Sequence, residues 1–318
     1  MPEARVVEAS RDENSLPEAT VTVDGSAARA TATSYPFVFS VCCLVTRYSE
    51  YGALREALKK QGFDDSNCEF LVCDNSAGNR CSAFDATRAF LRQAKGKYVL
   101  IIHQDAIPLE SAAELLRLVE LVEQHDPDWG VIGNCGRQFG GRASLALEID
   151  GRATRVGEPF VRVAAVDENM MLVRNGTGIT VSKHGKGFHI YAFDLCSVAA
   201  RLGYNTYVVD HLWRHDSAGT IDEGYLAAKQ RMEGKMREYH RGQFAPTTST
   251  TLCWSSSPFQ QAKARALSIL TIGHRKHRAI RRKMWLEGLL TNPLFLFYIV
   301  YYRLQDAWCW VLRRSGGY

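Results

Sequence analysis

The stretch KYVLIIHQDAIPL, residues 97–109, decides the fold of this chain. Residues 98–102 form an apolar run rich in β-branched side chains, which is typical of a strand buried on both faces of a parallel sheet. The run ends at three polar residues, His103, Gln104 and Asp105. Ligands of open α/β sheets bind outside the carboxyl ends of the strands, so the pattern predicts the functional site around Asp105.

Strands and helices alternate before this stretch. The sequence predicts strands at residues 37–45 and 70–73, a helix that ends near Gly62 between them, and a second helix at 83–94. This order predicts right-handed βαβ units with parallel strands. The carboxyl ends of three strands then bring three polar pairs to one rim: Thr46/Arg47, Asp74/Asn75 and His103/Asp105.

The pattern continues after residue 109 with less regular spacing. Ser111 and Glu114 have the spacing of a capping box before an apolar-periodic helix. A fourth strand is predicted at 129–133, ending at Gly133, followed by a Gly-rich hairpin or loop at 137–160. An alternating strand follows at 161–173. A helix at 194–202 and a strand at 206–209 precede the motif WRHDSAG, which contains His215.

Composition places the chain among ordinary globular proteins. It is 46% hydrophobic and 23% charged, and its formal charge of +5 is small for 318 residues. Much of the excess lies in one late cluster, so the charge is only weak support for a nucleic-acid partner, and we expect none. The nine cysteines form no C-x-x-C pair and the amino end has no hydrophobic signal segment. We therefore expect reduced thiols in a cytoplasmic protein.

Four regions follow from these patterns. We predict a disordered leader at 1–34, a catalytic domain at 35–220, a helix and linker at 221–258, and a basic, apolar helical tail at 259–318. In the tail, HRKHRAIRRK at 274–283 holds six Lys and Arg residues and precedes an apolar aromatic segment. The unbroken apolar part, residues 293–302, is about half of the roughly 20 residues that a spanning helix needs.

The tail has two interpretations. A basic block beside an aromatic, apolar segment is the pattern of an interfacial helix, which would lie at the inner face of the membrane. The same segment could instead bury itself against the catalytic domain or a second copy in a homodimer.

The strand-end residues have the chemistry of a nucleotide-sugar site. A strand-end Asp, an Asp on an earlier strand and a downstream His are the parts that hold a divalent ion against two phosphates, where the ion neutralises the leaving diphosphate. A lone strand-end Asp is more often a helix cap or turn residue. Three polar strand ends in register weaken that interpretation.

The ordered motifs resemble a known family. FVFSVCCLVTRYSEY, LVCDNSAGN, KYVLIIHQDAIPL, WGVIGNCG, VDENMMLVR, FHIYAFDLCSVAARLGY and WRHDSAG are similar to the GT-A glycosyltransferases of family two. They are most similar to the branch with HQD in place of D-x-D, first named for a streptomycin biosynthesis protein. The resemblance covers residues 37–219. It implies a GT-A α/β fold, a mostly parallel central sheet with helices on both faces, and a helical C-terminal extension.

The resemblance also implies an activity and a set of site residues. The activity is inverting transfer of a sugar from a nucleoside-diphosphate donor to a hydroxyl on a glycan, lipid-linked or small-molecule acceptor. The cofactor would be Mn²⁺ or Mg²⁺, and Mn²⁺ accepts imidazole more readily. Asp105 and His215 are the expected metal ligands. The expected nucleotide- or substrate-binding residues are Thr46, Arg47, Asp74, Asn75, His103 and Gly133.

The general base is where the sequence departs from the family pattern. The family places an Asp just before the D-L-C helix start, and that position holds Ala192 here. We assign the base to Asp194, whose alternative role is a cap of the helix at 194–202. If Asp194 is a cap, His189 or Glu168 is the next candidate, or transfer activity is lost.

Two other classes of function stay open. A nucleotidyltransferase shares the α/β plan but normally carries a Gly-rich, basic first loop, which VTRYSEYG lacks. A non-catalytic, membrane-peripheral partner protein would keep the fold and lose the base, as Ala192 suggests. The first strand is followed by no G-x-G-x-x-G motif, which argues against a dinucleotide oxidoreductase.

Overall fold

A computed structural model describes residues 21–23, 35–139, 141–215, 221–239, 244–247, 250–271, 278–292 and 294–303. By its contacts the chain divides into two compact units, Met1–Gly219 and Thr220–Tyr318. The predicted leader, apart from one short strand at 21–23, lies outside the described residues, as do residues 216–219 of the WRHDSAG motif.

The first unit alternates strands and helices in the predicted order. Its helices are α1 (Tyr48–Lys60), α2 (Ala83–Gln93), α3 (Ala112–His125) and α4 (Tyr191–Arg201). Its strands are β1 (Val21–Val23), β2 (Phe37–Val45), β3 (Cys68–Asp74), β4 (Gly96–Ile102), β5 (Ala106–Pro108), β6 (Trp129–Gly133), β7 (Cys135–Arg137), β8 (Ala143–Leu145), β9 (Leu147–Ile149), β10 (Arg152–Thr154), β11 (Phe160–Arg162), β12 (Ala165–Val166), β13 (Met170–Arg174), β14 (Asn205–Val209) and β15 (Trp213–His215).

The central sheet has eight strands in the order β1-β3-β2-β4-β13-β6-β14-β11. Strands β3, β2 and β4 are parallel neighbours, as are β6 and β14. Strand β13 lies between β4 and β6 and is antiparallel to both. The five strands β2, β3, β4, β6 and β14 therefore point in one direction. Strands β1 and β11 are antiparallel edge strands. The carboxyl ends of β2, β3 and β4 therefore meet at one edge, as the sequence predicts.

Burial explains why these strands read as continuous apolar runs. One face of the sheet packs against α1 and α3 in a single core that includes Phe39, Leu100 and Trp129. Helix α2 contacts β2 and β4, and α4 contacts β6 and β14. Ser111 caps α3 by accepting a hydrogen bond from the Glu114 N–H at 3.2 Å, which is the first half of the predicted capping box. The Glu114 carboxylate accepts from Arg117.

Two predicted elements in the later part of this unit differ from the structure. The alternating segment 161–173 is split into β11, β12 and β13, which belong to two different sheets. Helix α4 begins at Tyr191, three residues before the predicted start, after Ile190 adopts a left-handed φ of 67°. The predicted hairpin is present, since β9 and β10 pair antiparallel across Asp150 and Gly151.

Free thiols are found at Cys42, Cys43, Cys68, Cys135, Cys196 and Cys253, in line with the reduced state expected. Cys73 and Cys81 depart from this expectation, because their sulfur atoms are paired. The pair links the end of β3 to the start of α2.

The second unit is helical with one small strand pair. It contains α5 (Glu223–Tyr239), β16 (Phe244–Pro246), β17 (Thr251–Cys253), α6 (Pro258–Thr271) and α7 (Arg278–Thr291), and residues 294–303 are also helical. Strands β16 and β17 pair antiparallel within the segment expected to be a linker. Ala266, Ile269, Met284 and Phe295 form its buried core. Among the described helices, none has the length and apolar character needed to cross a membrane.

Candidate active site

The site forms where β4 ends. His103, Asp105 and His215 each offer one ligand atom, and these atoms all lie within 4.8 Å of one another. His103 and Asp105 follow β4 directly. His215 lies about 110 residues after Asp105 in the sequence. It reaches the site because β15 pairs antiparallel with β5, which places His215 opposite Ala106. The Nε2 atom of His215 lies 3.4 Å from Oδ1 of Asp105.

His103 is held by hydrogen bonds on both ring nitrogens. Its Nε2 lies 3.0 Å from the Tyr191 hydroxyl, and that hydroxyl donates to the Glu168 carbonyl oxygen at 3.4 Å. In the tautomer that matches a Tyr191 hydroxyl donating to Glu168, His103 donates from Nε2 and keeps a lone pair on Nδ1. Nδ1 lies 3.4 Å from Nε2 of His215. This is the arrangement in which an outer hydrogen bond orients an imidazole ligand.

Burial keeps the His103 ring neutral. The pKa of His103 falls to about 4, first because burial disfavours the charged ring and then because His215 lies beside it. Metal ions bind neutral imidazole. Two imidazole nitrogens and one carboxylate oxygen, all half-buried, are a donor set that suits a divalent ion such as Mn²⁺. The residues present therefore fit the predicted metal.

Gln104 links this strand end to the loop after β2. Its Oε1 accepts from the backbone N–H groups of Thr46 and Arg47, at 2.9 and 3.0 Å. Its Nε2 donates to Thr46 Oγ1 at 2.8 Å and to Glu50 Oε2 at 2.9 Å. The buried amide thus uses both protons and both lone pairs of its side chain. The sequence indicates no role for Gln104, because these partners lie more than 50 residues away.

A cavity of about 220 Å³ lies beside the cluster. Thr46, His103, Gln104 and Asp105 line its polar end. Tyr191 and Phe188 also line it, together with side chains of α2 that include Ala83, Thr87 and Phe90. The structure therefore brings three predicted site residues, Thr46, His103 and Asp105, to one cavity, with His215 next to them. Arg47 points outward, where it pairs with Glu50 at 2.6 Å.

The end of β3 is shaped by its own hydrogen bonds. Asp74 is exposed, and its Oδ1 accepts from the Ser76 N–H at 2.8 Å, which lowers the pKa of its carboxyl. Asn75 is buried; it accepts from the N–H groups of Arg80 and Cys81 and donates to the Cys81 carbonyl. Asp74 is thus accessible to a ligand. Asn75 instead closes the loop to α2, which corrects its predicted nucleotide contact.

Gly133 has a packing role. A Cβ atom there would lie 2.7 Å from Cβ of Val166 and 3.2 Å from the Met170 carbonyl oxygen. Both values are below the ordinary van der Waals contact of two such atoms. The absence of a side chain lets β12 lie against β6. The nucleotide contact at Gly133 stays a prediction.

The predicted base Asp194 is fully buried in the first turn of α4. Its Oδ2 accepts from the Ser182 N–H at 2.5 Å, and its Oδ1 accepts from the Ser182 hydroxyl at 2.8 Å. A general base must reach the hydroxyl that it deprotonates, and a buried carboxylate with both oxygens engaged is not placed to do so. We therefore no longer assign the base to Asp194, which anchors the segment before α4.

The structure also places the carboxyl group of Glu168 at the start of α4. Backbone N–H groups of Ile190, Tyr191 and Ala192 bond to its carboxyl, so it lies beside the alanine that stands where the family pattern has an Asp. Burial, and then the neighbouring Asp167 charge, raise the pKa of Glu168 to about 8. Titratable groups with strongly shifted pKa values are candidates for proton transfer.

A protein of known structure shares this fold. The sequence matches no protein-family model. The structure is similar to that of S. aureus TarS residues 1–349, crystallised in complex with UDP-GlcNAc. The TM-score is 0.50, the sequences are 12% identical, and the match covers 79% of each chain. The predicted α/β glycosyltransferase fold with a helical C-terminal extension is confirmed.

A relative is also found at the level of sequence. The chain is 31% identical over 213 residues to the protein named ATP synthase subunits region ORF 6 of Fuscovulum blasticum. The match covers 64% of this chain and 86% of that protein. The chain therefore belongs to the family of that protein.

Proposed function

We propose that this chain is a glycosyltransferase that uses a nucleoside-diphosphate sugar and a divalent ion. The observation that carries the proposal is the cluster of His103, Asp105 and His215 at the carboxyl end of β4, within a fold that TarS shares. Because that TarS structure holds UDP-GlcNAc, a UDP-sugar is the first donor to test.

The residues of the site have separate tasks in this proposal. His103, Asp105 and His215 would hold Mn²⁺ or Mg²⁺, which supplies positive charge to the leaving diphosphate. Tyr191 fixes the tautomer of His103. Gln104 fixes the backbone of Thr46 at the cavity, where the nucleotide would bind.

Asp74 and Glu168 have the remaining roles in this site, at the nucleobase and at the acceptor hydroxyl. Asp74, ionised because its pKa is low, is exposed and able to accept a hydrogen bond from a nucleobase. Glu168 is half-buried, whereas Asp194 is fully buried, and it is our candidate for the group that deprotonates the acceptor hydroxyl, with inversion at the sugar. A pKa of about 8 makes its carboxylate a stronger base than an ordinary glutamate.

A thermal-shift panel of nucleoside diphosphates and their sugars, with and without Mn²⁺, tests the donor and the metal together. A ligand at 100 times its dissociation constant stabilises the fold by about 2.7 kcal/mol. We expect one nucleotide to stabilise the protein only when Mn²⁺ is present, and Asp105→Asn to abolish that shift. Asp128→Asn, the same change at an exposed position, is the matched control and should keep it. An unchanged shift in Asp105→Asn would contradict the proposal.

A second candidate function is favoured by Ala192 and by the burial of Asp194. A protein that keeps the nucleotide site and lacks a base would bind the donor without transferring the sugar. Release of nucleoside diphosphate from a bound donor separates the two. Release that falls strongly in Glu168→Gln, while donor binding is retained, supports the enzyme. Binding without release in the unmodified chain supports the non-catalytic protein.

A further inference from the structure

The second unit exposes a row of large apolar side chains. Leu290 is 85% exposed and Phe297 is 62% exposed. Among the described residues, seven of these side chains lie on α7 and on the helical residues 294–303, and we call them the tail surface: Leu286, Leu289, Leu290, Leu296, Phe297, Val300 and Tyr301. Apolar side chains that stay exposed together, next to polar groups, mark a surface that meets a partner.

The two helices that carry the tail surface also contribute to the buried core of the second unit. The opposite sides of the same two helices are buried, where Met284 and Phe295 pack with Ile269. The Trp285 and Phe295 rings meet edge to face at 5.6 Å. Each helix thus has one buried apolar face and a second apolar face whose side chains are 44–85% exposed.

Positive charge borders the tail surface. Arg282 and Lys283 lie one turn before Leu286 on α7, and these residues line a groove of about 660 Å³ with Leu290. The pKa of Arg281 is lowered, first by its burial and then by the nearby positive charge of Arg303. Glu287 also lines the groove, and Lys283 bonds to Glu223 at 2.9 Å. The three arginines leave the border net positive.

We propose that the tail surface docks on an anionic lipid bilayer. Leucines and aromatic side chains enter the boundary between headgroups and acyl chains, while neighbouring arginines and lysines meet the lipid phosphates. Long basic side chains beside such a surface can keep their apolar stems in the lipid and their charges in the headgroups. The charge pattern disfavours a second copy of this chain as the binding partner. Contact between two tail surfaces would bring the positive charges of their arginines together. This proposal does not depend on the sugar transfer.

Vesicle flotation of the full chain tests the proposal. We expect the protein to float with vesicles of mixed phosphatidylglycerol and phosphatidylcholine, and much less with phosphatidylcholine alone. Leu290→Glu should weaken partitioning by about tenfold or more, since burial of one leucine contributes about 1.5 kcal/mol or more. Arg282→Gln should weaken it about fivefold, as expected for one basic residue near an anionic surface, and high salt should act in the same direction.

The controls change a leucine and a basic residue elsewhere. Leu202→Glu alters a leucine that is also exposed, at the end of α4, and Lys60→Gln removes an exposed charge at the end of α1. Both should float like the unmodified protein, and all four variants should keep its thermal midpoint. Absence of flotation, or flotation that Leu290→Glu leaves unchanged, overturns the proposal. Dimerisation in free solution that Leu290→Glu abolishes, without vesicle binding, assigns the tail surface to a second copy instead.

Discussion

The Gln104 side chain makes four hydrogen bonds that tie the end of β4 to the loop after β2. Gln104→Ala would leave the partly buried N–H groups of Thr46 and Arg47 without the Oε1 acceptor that they share. A buried donor that loses its partner costs about 1–3 kcal/mol. We therefore expect the free energy of unfolding, measured with urea, to fall by about that amount.

Gln124→Ala is the control for this change. Gln124 is exposed on α3, and surface substitutions of this kind alter stability by about 0.5 kcal/mol or less. Equal effects of the two variants would show that the Gln104 amide does not stabilise the strand end.

Replacement of Asp194 tests whether this residue is the general base or an anchor of the segment before α4, because the two roles predict different effects of losing its carboxylate. Since Asp194 holds both the N–H and the hydroxyl of Ser182, we expect Asp194→Ala to lower the free energy of unfolding by about 1–3 kcal/mol. The nucleotide-dependent thermal shift should be retained. Asp128→Ala, at an exposed position, should change stability little. A variant of normal stability that binds donor and fails to release diphosphate would restore Asp194 as the base.

Single residues show why sequence predicts part of this site. Thr46, His103 and Asp105 could be placed because each follows a buried strand, and parallel strands end at one edge of the sheet. Asn75 and Asp194 have the same polar side chains near element ends, yet they turn inward to satisfy backbone and hydroxyl groups. A sequence does not say whether a polar group faces a ligand or its own chain, because tertiary contacts far along the chain decide this.

At the scale of elements, the regular βαβ half was predictable and the later strands were not. Strands β2, β3 and β4 follow from apolar runs separated by helices of ordinary length. Strand β13 enters the sheet antiparallel between β4 and β6, and β15 delivers His215 by pairing with β5. Both pairings join segments far apart in sequence, and short strands carry no local signal of their partner.

The contact between β6 and β12 gives a prediction at the same scale. In Gly133→Ala the added Cβ would meet Val166 at 2.7 Å, so β12 must move or strain must be accommodated. Overpacking of this kind costs about 1–3 kcal/mol, and we expect the thermal midpoint and the free energy of unfolding to fall.

Gly52→Ala is the matched control, because it makes the same change in α1 with no atom within 4 Å of the new Cβ. It should raise stability by about 0.5–1 kcal/mol, since alanine favours a helix more than glycine does. If Gly133→Ala is also stabilising, the close approach of β12 to β6 does not require glycine.

For the whole molecule, two buried groups near the site set opposite pH dependences of stability. His103 has a pKa of about 4 in the fold and about 6.5 when unfolded, so the unfolded state binds more protons in that interval and stability falls as pH falls through it. Glu168 has a pKa of about 8 in the fold and about 4.5 when unfolded, so the fold binds more protons there and stability falls as pH rises. Between about pH 4.5 and 6.5 the two contributions oppose each other.

Glu168→Gln separates the two contributions, because glutamine keeps an oxygen for the N–H groups at the start of α4 and cannot ionise. From about pH 6.5 to 8 the unmodified chain should lose stability by up to about 1.4 kcal/mol per pH unit, and the variant should not. Below about pH 6.5 the variant should lose stability more steeply than the unmodified chain, because the effect of His103 is then unopposed. Urea unfolding at pH 5, 6.5 and 8 measures this, with Glu56→Gln at an exposed position of α1 as the control. Parallel profiles for Glu168→Gln and the unmodified chain would mean that Glu168 ionises alike in the folded and unfolded states, and would remove it as the candidate base.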